Sequence, residues 1–556
     1  MTRKQLETQP QHCRDLDSQQ RPRDSINFGE QPRNHSRRTE DSSKPTMSNT
    51  KTIAKNTGWY GIENAVSAIL TVFTSIAIAR TLGPAKMGYI IYVAWIASVV
   101  SDFGGLGIPT TTRKYMAEFL GKGDRGTARH IFIRTFILQS VLATVTVAAL
   151  IFWVLRDAGE GYKLASALVV LSIWPAMVNS IPAQANVATE ELSRNLPASV
   201  ASILIYFVTI LLTVVFHWGV IGVGASMLAM RLSDFLIRVF PTMNYILTWE
   251  TDYIQPPGLN QRMISFAWQS VAVLLVEMVV WQRSEFILLK HLCSDIRQVA
   301  YYSVAFSMAD RLLISASIFG SAASATIFAQ YGRDKSRVPE ITASTFRYLA
   351  ITSIPLHFIA ASLAASALML LYGNAYADAA MVVTLAPILC MPKAFIAPVR
   401  SLLQSHERQG FVIWATVFAG IVDVGVAWYL IPAHGAVGAC IGSGAAEIAA
   451  VGLMWAIGIY LYKVKLPWVL LAKVTFISVT ASVTAYYVAA LFRPILGIMI
   501  GGSASLIVLF GLFYLMRVLE VEDRSRFNTL TAILPKSLSG PANRFLGFLV
   551  RPAFAE

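Results

Sequence analysis

The sequence has little charge and few cysteines for its length. Only 14% of its 556 residues are charged, whereas 55% are apolar, and the mean hydropathy is +0.54. A soluble chain of this length would divide into several domains, each with a charged surface, and there are too few charges for that. The four cysteines form no CxxC pair, so neither a disulfide framework nor a zinc site is supported. A polytopic membrane protein without metal or cofactor remains.

The common catalytic motifs are also missing. There is no Walker A, GxSxG, HExxH or dinucleotide-binding fingerprint, so we expect no enzyme and no ATP hydrolysis by this chain. The stretch 102–109, DFGGLGIP, indicates a helix break before Pro109 and not a phosphate-binding loop. The net charge of +14 would suggest nucleic acid in a soluble protein. In a membrane protein it indicates cytoplasmic Lys and Arg, so we predict no nucleic-acid partner.

The first residues are polar and basic and contain no apolar signal-peptide core. We predict a disordered basic tail over residues 1–57, of which the first 46 are dispensable because Met47 opens a more ordinary start. Fourteen apolar segments follow, each long enough to cross a bilayer. They are predicted at 58–79, 88–110, 131–155, 164–189, 195–216, 219–247, 263–289, 298–328, 346–372, 377–403, 410–431, 436–460, 469–492 and 494–516.

An internal repeat with an offset near 210 residues divides these segments. The loop RTLGPAKMGYIIY from Arg80 matches LCSDIRQVAYYSV from Leu292, and basic loops 121–136 and 332–349 also correspond. The sequence thus predicts an all-α membrane protein with a six-helix half at 58–247 and another at 263–460. Because six helices intervene, the halves share one orientation and a pseudo-two-fold axis along the membrane normal. Two further helices at 469–516 and a cytoplasmic tail at 517–556 complete the chain.

Loop charge predicts the orientation. The loops on the side of the membrane that carries residues 121–129 contain more Lys and Arg than the loops on the other side. Lys and Arg accumulate on the cytoplasmic side of a membrane. On that side lie Arg113, Lys114, Lys122, Arg125, Arg129, Arg194, Arg262, Arg333, Lys335, Arg337, Arg408, Lys463 and Lys465. On the other lie Arg80, Lys86, Arg156, Lys163, Lys290, Arg297 and Arg493. Both termini are therefore predicted to be cytoplasmic.

Ionisable side chains within the spans indicate a shared lumen, because charge is costly in hydrocarbon. Glu63 and Glu277 occupy mid-helix positions in the first and seventh spans, which correspond in the repeat, and Glu285 flanks the second of them. In the eighth span Asp310 forms a stripe with serines, beside Arg311. We predict a substrate and ion pathway that also includes Lys393 and Glu447. The complete set is Glu63, Glu277, Glu285, Asp310, Arg311, Lys393 and Glu447.

Structural explanations stand beside these assignments. Serine stripes also pack membrane helices, so Ser317 and Ser321 fit either reading. Arg231, Asp234 and Arg238 neutralise one another if they pair along the sixth span. Asp102 lies near the cytoplasmic boundary, where charge costs little.

Several segments together resemble one protein family. ARTLGPAKMGYIIYVAW followed by RKYMAEF, and later LYGNAYADAAMVVTLAP, SLLQSHERQG and LIPAHGAVGACIGSGAAE, are similar to the bacterial polysaccharide transporters. That family belongs to the multidrug/oligosaccharidyl-lipid/polysaccharide exporter (MOP) superfamily, and the resemblance runs from about Gly58 to Arg517. The matching residues are Arg80, Leu82, Gly83, Pro84, Gly88, Tyr372, Gly373, Tyr376, Pro432, Gly435 and Gly438.

The resemblance implies a flippase of the bacterial inner membrane that moves a lipid-linked oligosaccharide by alternating access. It implies the lipid bilayer, H+ or Na+, and a polysaccharide polymerase and export machinery as partners. Family members hold the pyrophosphate in a cationic lumen, whereas acids such as Asp423 are as prominent as bases here. An ion-coupled multidrug or cation antiporter of the same superfamily is the alternative. A membrane-embedded glycan polymerase or ligase is disfavoured, because the predicted outer loops are short.

Overall fold

A computed structural model describes residues 47–249, 256–281 and 284–519, and no β-strand occurs among them. The chain divides into Met1–Ala54 and Lys55–Glu556, and the packing described below is that of the second unit. Of the predicted tails at 1–57 and 517–556, residues 1–46 and 520–556 lie outside the described residues.

Sixteen α-helices follow one another in the described residues. The first half contains α1 (Met47–Gly104), α2 (Ile108–Gly121), α3 (Arg125–Asp157), α4 (Lys163–Leu171), α5 (Ile173–Ala188), α6 (Leu196–Val215) and α7 (Gly219–Leu247). The second contains α8 (Leu259–Trp281), α9 (Glu285–Leu292), α10 (Arg297–Arg333), α11 (Val338–Tyr372), α12 (Ala380–Cys390), α13 (Ile396–Ser405) and α14 (Gln409–Tyr462). The last two are α15 (Trp468–Ala490) and α16 (Pro494–Leu515).

Eleven helical segments of the described chain are long and apolar enough to cross a membrane. Two of them, in α1 and α14, run over a non-helical glycine. Gly83 has φ 69° and Gly435 has φ 52°, a region that a side chain disfavours, so the chain turns sharply at each glycine. The predicted all-α membrane fold is confirmed, while the division into twelve helices plus two stays a prediction.

The helices are longer and more broken than the apolar runs predict. α1 begins at Met47 instead of 58, and α3 begins at Arg125 instead of 131. Hydropathy marks only the part that lies in lipid, whereas a helix continues into water wherever its polar residues allow. The predicted break before Pro109 is confirmed, since α1 ends at Gly104 and α2 starts at Ile108. The predicted single spans 164–189 and 377–403 are both interrupted.

Contacts between distant parts of the chain define two ends of the bundle. The Arg80 end carries the turn at Gly83 and the segment 293–296 between α9 and α10. The Glu118 end carries the turn between α2 and α3. α2 to α7 pack together, α9 to α14 pack together, and α15 and α16 pack on each other and on α11.

Candidate functional site

A cavity of about 810 Å³ lies between the two halves. We call it the C-half cavity. One wall is Ser67 and Thr71 of α1, and the others come from α10 and from the segment before and within α13. Ser317, Ser321 and Ser324 of α10 also line it, at spacings that keep them on one helical face. Those serines therefore face the cavity.

Charged side chains concentrate on one side of this cavity. Asp310 and Arg311 of α10 and Lys393 all line it, and all three are half-buried. One acid and two bases make its described lining net positive. Arg311 Nε is buried and has no hydrogen-bond partner within the described residues. A donor without an acceptor next to open space suits an anionic ligand oxygen.

Lys393 reaches the cavity because its span is not one continuous helix. α12 contains Pro387 and ends at Cys390, and a 3-10 turn over Met391–Phe395, with Pro392 near its start, leads into α13. Proline removes a backbone donor and interrupts α-helical bonding. The interruption therefore falls in the middle of a predicted span, and Lys393 lies on it.

Three buried carboxyl groups form a second cluster in the same half, which we call the carboxyl cluster. Glu285 and Asp423 are each 1% exposed and Glu447 is 4% exposed. Glu285 and Asp423 lie close enough for their side chains to interact directly, and Glu447 interacts electrostatically with Asp423. Three buried carboxyl groups in such proximity repel one another when all are charged, which favours a proton on at least one of them.

Hydroxyl groups complete the carboxyl cluster. Ser284 Oγ donates to Asp423 Oδ2 at 3.1 Å, and the hydroxyl groups of Tyr302 and Ser443 lie beside Glu285. The residues come from the start of α9, from α10 and from both sides of the Gly435 turn in α14. Within the described residues, no group of three His, Cys, Asp or Glu has the geometry of a metal site. The arrangement is suited to exchanging a proton.

A smaller cavity of about 340 Å³, the N-half cavity, lies in the first half. Asp102 and Arg231 line it together with Gln184 and the hydroxyls of Ser98 and Ser101. Asp102 lies two residues before the end of α1, and its interpretation as a boundary residue stays a prediction. Along α7, Asp234 pairs with Arg238 at 2.6 Å and also interacts electrostatically with Arg231, which lines the cavity.

The halves touch at the Arg80 end. The Arg80 guanidinium donates to the carbonyls of Leu371 at 2.7 Å and Leu370 at 2.5 Å, at the end of α11. Tyr376 lies against Met87 Sδ at 2.9 Å, and a Cβ on Gly88 would stand 2.2 Å from the Ile296 carbonyl oxygen. The residues that carry the family resemblance thus form a contact between halves.

A second contact between halves lies at the Glu118 end. Glu118 of α2 pairs with Lys122 at 2.7 Å and with Arg262 of α8 at 3.1 Å. The Lys114 ammonium lies 3.8 Å from the centre of the Phe266 ring. α2 is not among the membrane-length helices, and the hydrogen bonds from Lys122 and Arg262 hold the pKa of Glu118 below its usual range. Apolar packing accompanies these charges, since residues of α2 and α8 belong to one hydrophobic cluster.

The predicted pathway residues separate into two groups. Asp310, Arg311 and Lys393 share the C-half cavity, while Glu285 and Glu447 belong to the carboxyl cluster. The side chains of Glu63 and Glu277 lie outside the described residues, so their role stays a prediction. The pathway prediction did not include Asp423, Gln184 or Arg231. Asp423 could have been identified from the sequence as an acid in the middle of a predicted span, whereas nothing in the sequence distinguishes Gln184.

Known proteins are similar to this chain both in sequence family and in fold. A family model described as polysaccharide biosynthesis protein matches residues 77–381. No curated protein matches the chain as a relative. A structure of the lipid II flippase MurJ in an inward closed conformation is similar over 83% of this chain and 99% of its own, with 12% identity and a TM-score of 0.62.

Two MATE structures share the fold as well. An inward-facing multidrug resistance MATE family transporter of the MOP superfamily covers 71% of this chain and 94% of its own, with 14% identity and a TM-score of 0.58. A MATE in complex with MaL6 covers 72% and 94%, with 14% identity and a TM-score of 0.51. At such identities the likeness is one of fold.

Proposed function

The chain belongs to the polysaccharide biosynthesis protein family, and on this premise we propose that it moves a lipid-linked oligosaccharide across the bacterial inner membrane. It acts by alternating access and not as an enzyme. A solved lipid II flippase and solved MATE transporters share the fold, which supports a transporter.

The observation that carries the proposal is the positive C-half cavity between the halves. Arg311 and Lys393 outweigh Asp310 within its described lining. A lipid diphosphate needs charge-assisted donors to leave water, and a guanidinium with a free Nε–H beside an ammonium provides them. The apolar part of the wall, with Ile314 and Ile318, suits the beginning of a lipid chain.

The transport cycle opens the two inter-half contacts in turn. Breaking the Arg80 contact exposes the cavity to one side, and breaking the contact between α2 and α8 exposes it to the other. Each contact combines a few polar interactions with apolar packing that crosses between the halves, so opening either one also exposes part of that apolar surface.

We assign the coupling ion to the carboxyl cluster. Buried carboxyl groups packed this closely can bind a proton and release it when the surrounding helices move, because the cost of the charge left behind depends on solvation. Proton coupling, with Na+ as the alternative ion, is therefore proposed for Glu285, Asp423 and Glu447. We place the Glu118 end in the cytoplasm, in agreement with the basic loops there.

An ion-coupled antiporter of small organic cations is the second candidate. The buried carboxyl cluster and the MATE fold favour it, since acids bind cations. The net positive lining of the C-half cavity disfavours it. The substitutions of Arg311 and Lys393 described next distinguish the flippase from the antiporter.

The test removes the two cavity cations. Because each makes charge-assisted bonds to the diphosphate, Arg311→Gln with Lys393→Gln should lower glycan export at least about tenfold at normal membrane levels. Surface polysaccharide and accumulated lipid-linked intermediates in a deletion strain are the readout. Lys335→Gln, an exposed cation outside the cavity, is the matched control and should export normally. Normal export by the double variant, or a change only in resistance to organic cations, would overturn the flippase.

A further inference from the structure

The two cavities occupy corresponding positions in the internal repeat. Adding about 210 residues carries Ser101 and Asp102 of the N-half cavity to the neighbourhood of Asp310 and Arg311. The same offset carries Gln184 to the neighbourhood of Lys393. The opposite half also contributes to the lining of each cavity: α1 lines the C-half cavity, and Leu274 of α8 lines the N-half cavity. The molecule thus contains two related cavities against one interface.

The chemistry of the two cavities has diverged. Where the C-half cavity has Arg311 and Lys393, the N-half cavity has Asp102 and Gln184, with Arg231 as its described cation. Its charged lining is balanced, and hydroxyls of Ser98, Ser101, Thr110, Ser172 and Ser180 surround it. It offers many neutral hydrogen-bonding groups and no excess of positive charge.

One buried atom indicates which kind of ligand group suits the N-half cavity. Gln184 Oε1 is buried and accepts no hydrogen bond from any described residue. In the C-half cavity the corresponding buried atom is a donor, Arg311 Nε. An amide oxygen that lacks a donor suits a ligand that donates, and an uncharged hydroxyl does so without demanding a counter-charge.

We propose that the N-half cavity binds the first sugar residues of the lipid-linked oligosaccharide, while the C-half cavity binds its diphosphate. The inference rests on the proposed function and divides the substrate between the two halves. Sugar hydroxyls both donate and accept, which matches a lining of amide, carboxylate, guanidinium and hydroxyl groups. A volume of about 340 Å³ lies at the lower end of small-molecule sites and suits one or two sugar units.

The test compares two ligands on the purified full-length protein. One is the lipid-linked oligosaccharide extracted from a strain that lacks this gene. The other is a polyprenyl diphosphate that carries no sugar. Gln184→Leu should weaken binding of the first by about fivefold, the equivalent of one lost hydrogen bond, and leave binding of the second unchanged. Ser101→Ala removes a single hydroxyl and should act in the same direction if Gln184→Leu folds poorly.

Two controls separate failure of this inference from failure of the proposed function. Gln409→Leu replaces an exposed glutamine outside both cavities and should change neither affinity. Lys393→Gln should weaken both ligands equally. If Lys393→Gln weakens both and the N-half variants weaken neither, or both alike, the sugar subsite is overturned and the flippase stands. If Lys393→Gln changes neither affinity, the diphosphate site itself is overturned.

Discussion

At the scale of single residues, Asp423 offers a way to separate ion coupling from substrate binding. Its carboxyl lies beside that of Glu285 and accepts from Ser284, and asparagine keeps the shape and one acceptor. We expect Asp423→Asn to reach the membrane at normal levels and to bind lipid-linked oligosaccharide as the native protein does. Its transport in proteoliposomes should no longer respond to an imposed pH gradient, because the exchangeable proton is gone.

The control for Asp423 is another acid away from the cluster. Glu340 is exposed in the first turn of α11, and Glu340→Gln should keep gradient-dependent transport. Asp423→Leu, by contrast, leaves Glu285 and Ser284 without their partner in a buried site, so it should lower stability by about 1–3 kcal/mol. Gradient-dependent transport by Asp423→Asn at the native rate would leave the cluster with a packing role.

At the scale of helices, the contact between α2 and α8 should depend on pH. The hydrogen bonds from Lys122 and Arg262 lower the pKa of Glu118, so the charged form is favoured in the contact. For a lowered pKa, the stabilisation is complete above the ordinary value and is lost as pH falls through the lowered one. We expect spin labels on α2 and α8 to move apart as the pH is lowered from neutral through that range.

Glu118→Gln serves as the matched variant for this prediction. It cannot ionise, so the distance between the labels should be the same at neutral and acid pH, and closer to the value of the acidified native protein. Exposed ion pairs contribute only about 0.2–1 kcal/mol, so a partial shift is expected rather than complete separation. A pH response that persists in Glu118→Gln would assign it to another group.

At the scale of the whole molecule, composition was enough to predict an all-α membrane fold, because burial in lipid selects apolar runs whatever their order. The cavity triad of Asp310, Arg311 and Lys393 was also within reach, since charge in a span is costly. The carboxyl cluster was within reach only in part, because Glu285 and Glu447 were predicted as pathway residues but their proximity to Asp423 was not. α8 ends at Trp281 and a new helix, α9, begins at Glu285. A helical wheel that treats this segment as one continuous helix therefore assigns Glu285 to the wrong face, beside Glu277.

Long-range pairing was equally invisible in the sequence. Glu285 and Asp423 lie far apart along the chain, and only the packing of α9 on α14 joins them. Gln184 carries no charge, so the cost argument that singled out Asp310 did not apply to it. The proposed role of Gln184 depends on the cavity that it lines and on a side-chain oxygen with no hydrogen-bond donor among the described residues. Neither feature can be recognised in the sequence.

The orientation of the whole molecule can be tested with two exposed lysines. Lys290 lies at the Arg80 end and Lys122 at the Glu118 end, and both are exposed. Since Lys and Arg accumulate on the cytoplasmic side, the basic Glu118 end should face inward. In a background with Cys13 and Cys293 replaced by Ser, an impermeant maleimide should label Lys290→Cys from outside intact spheroplasts. Lys122→Cys should react only after permeabilisation, and the reverse pattern would invert the topology and the direction of export with it.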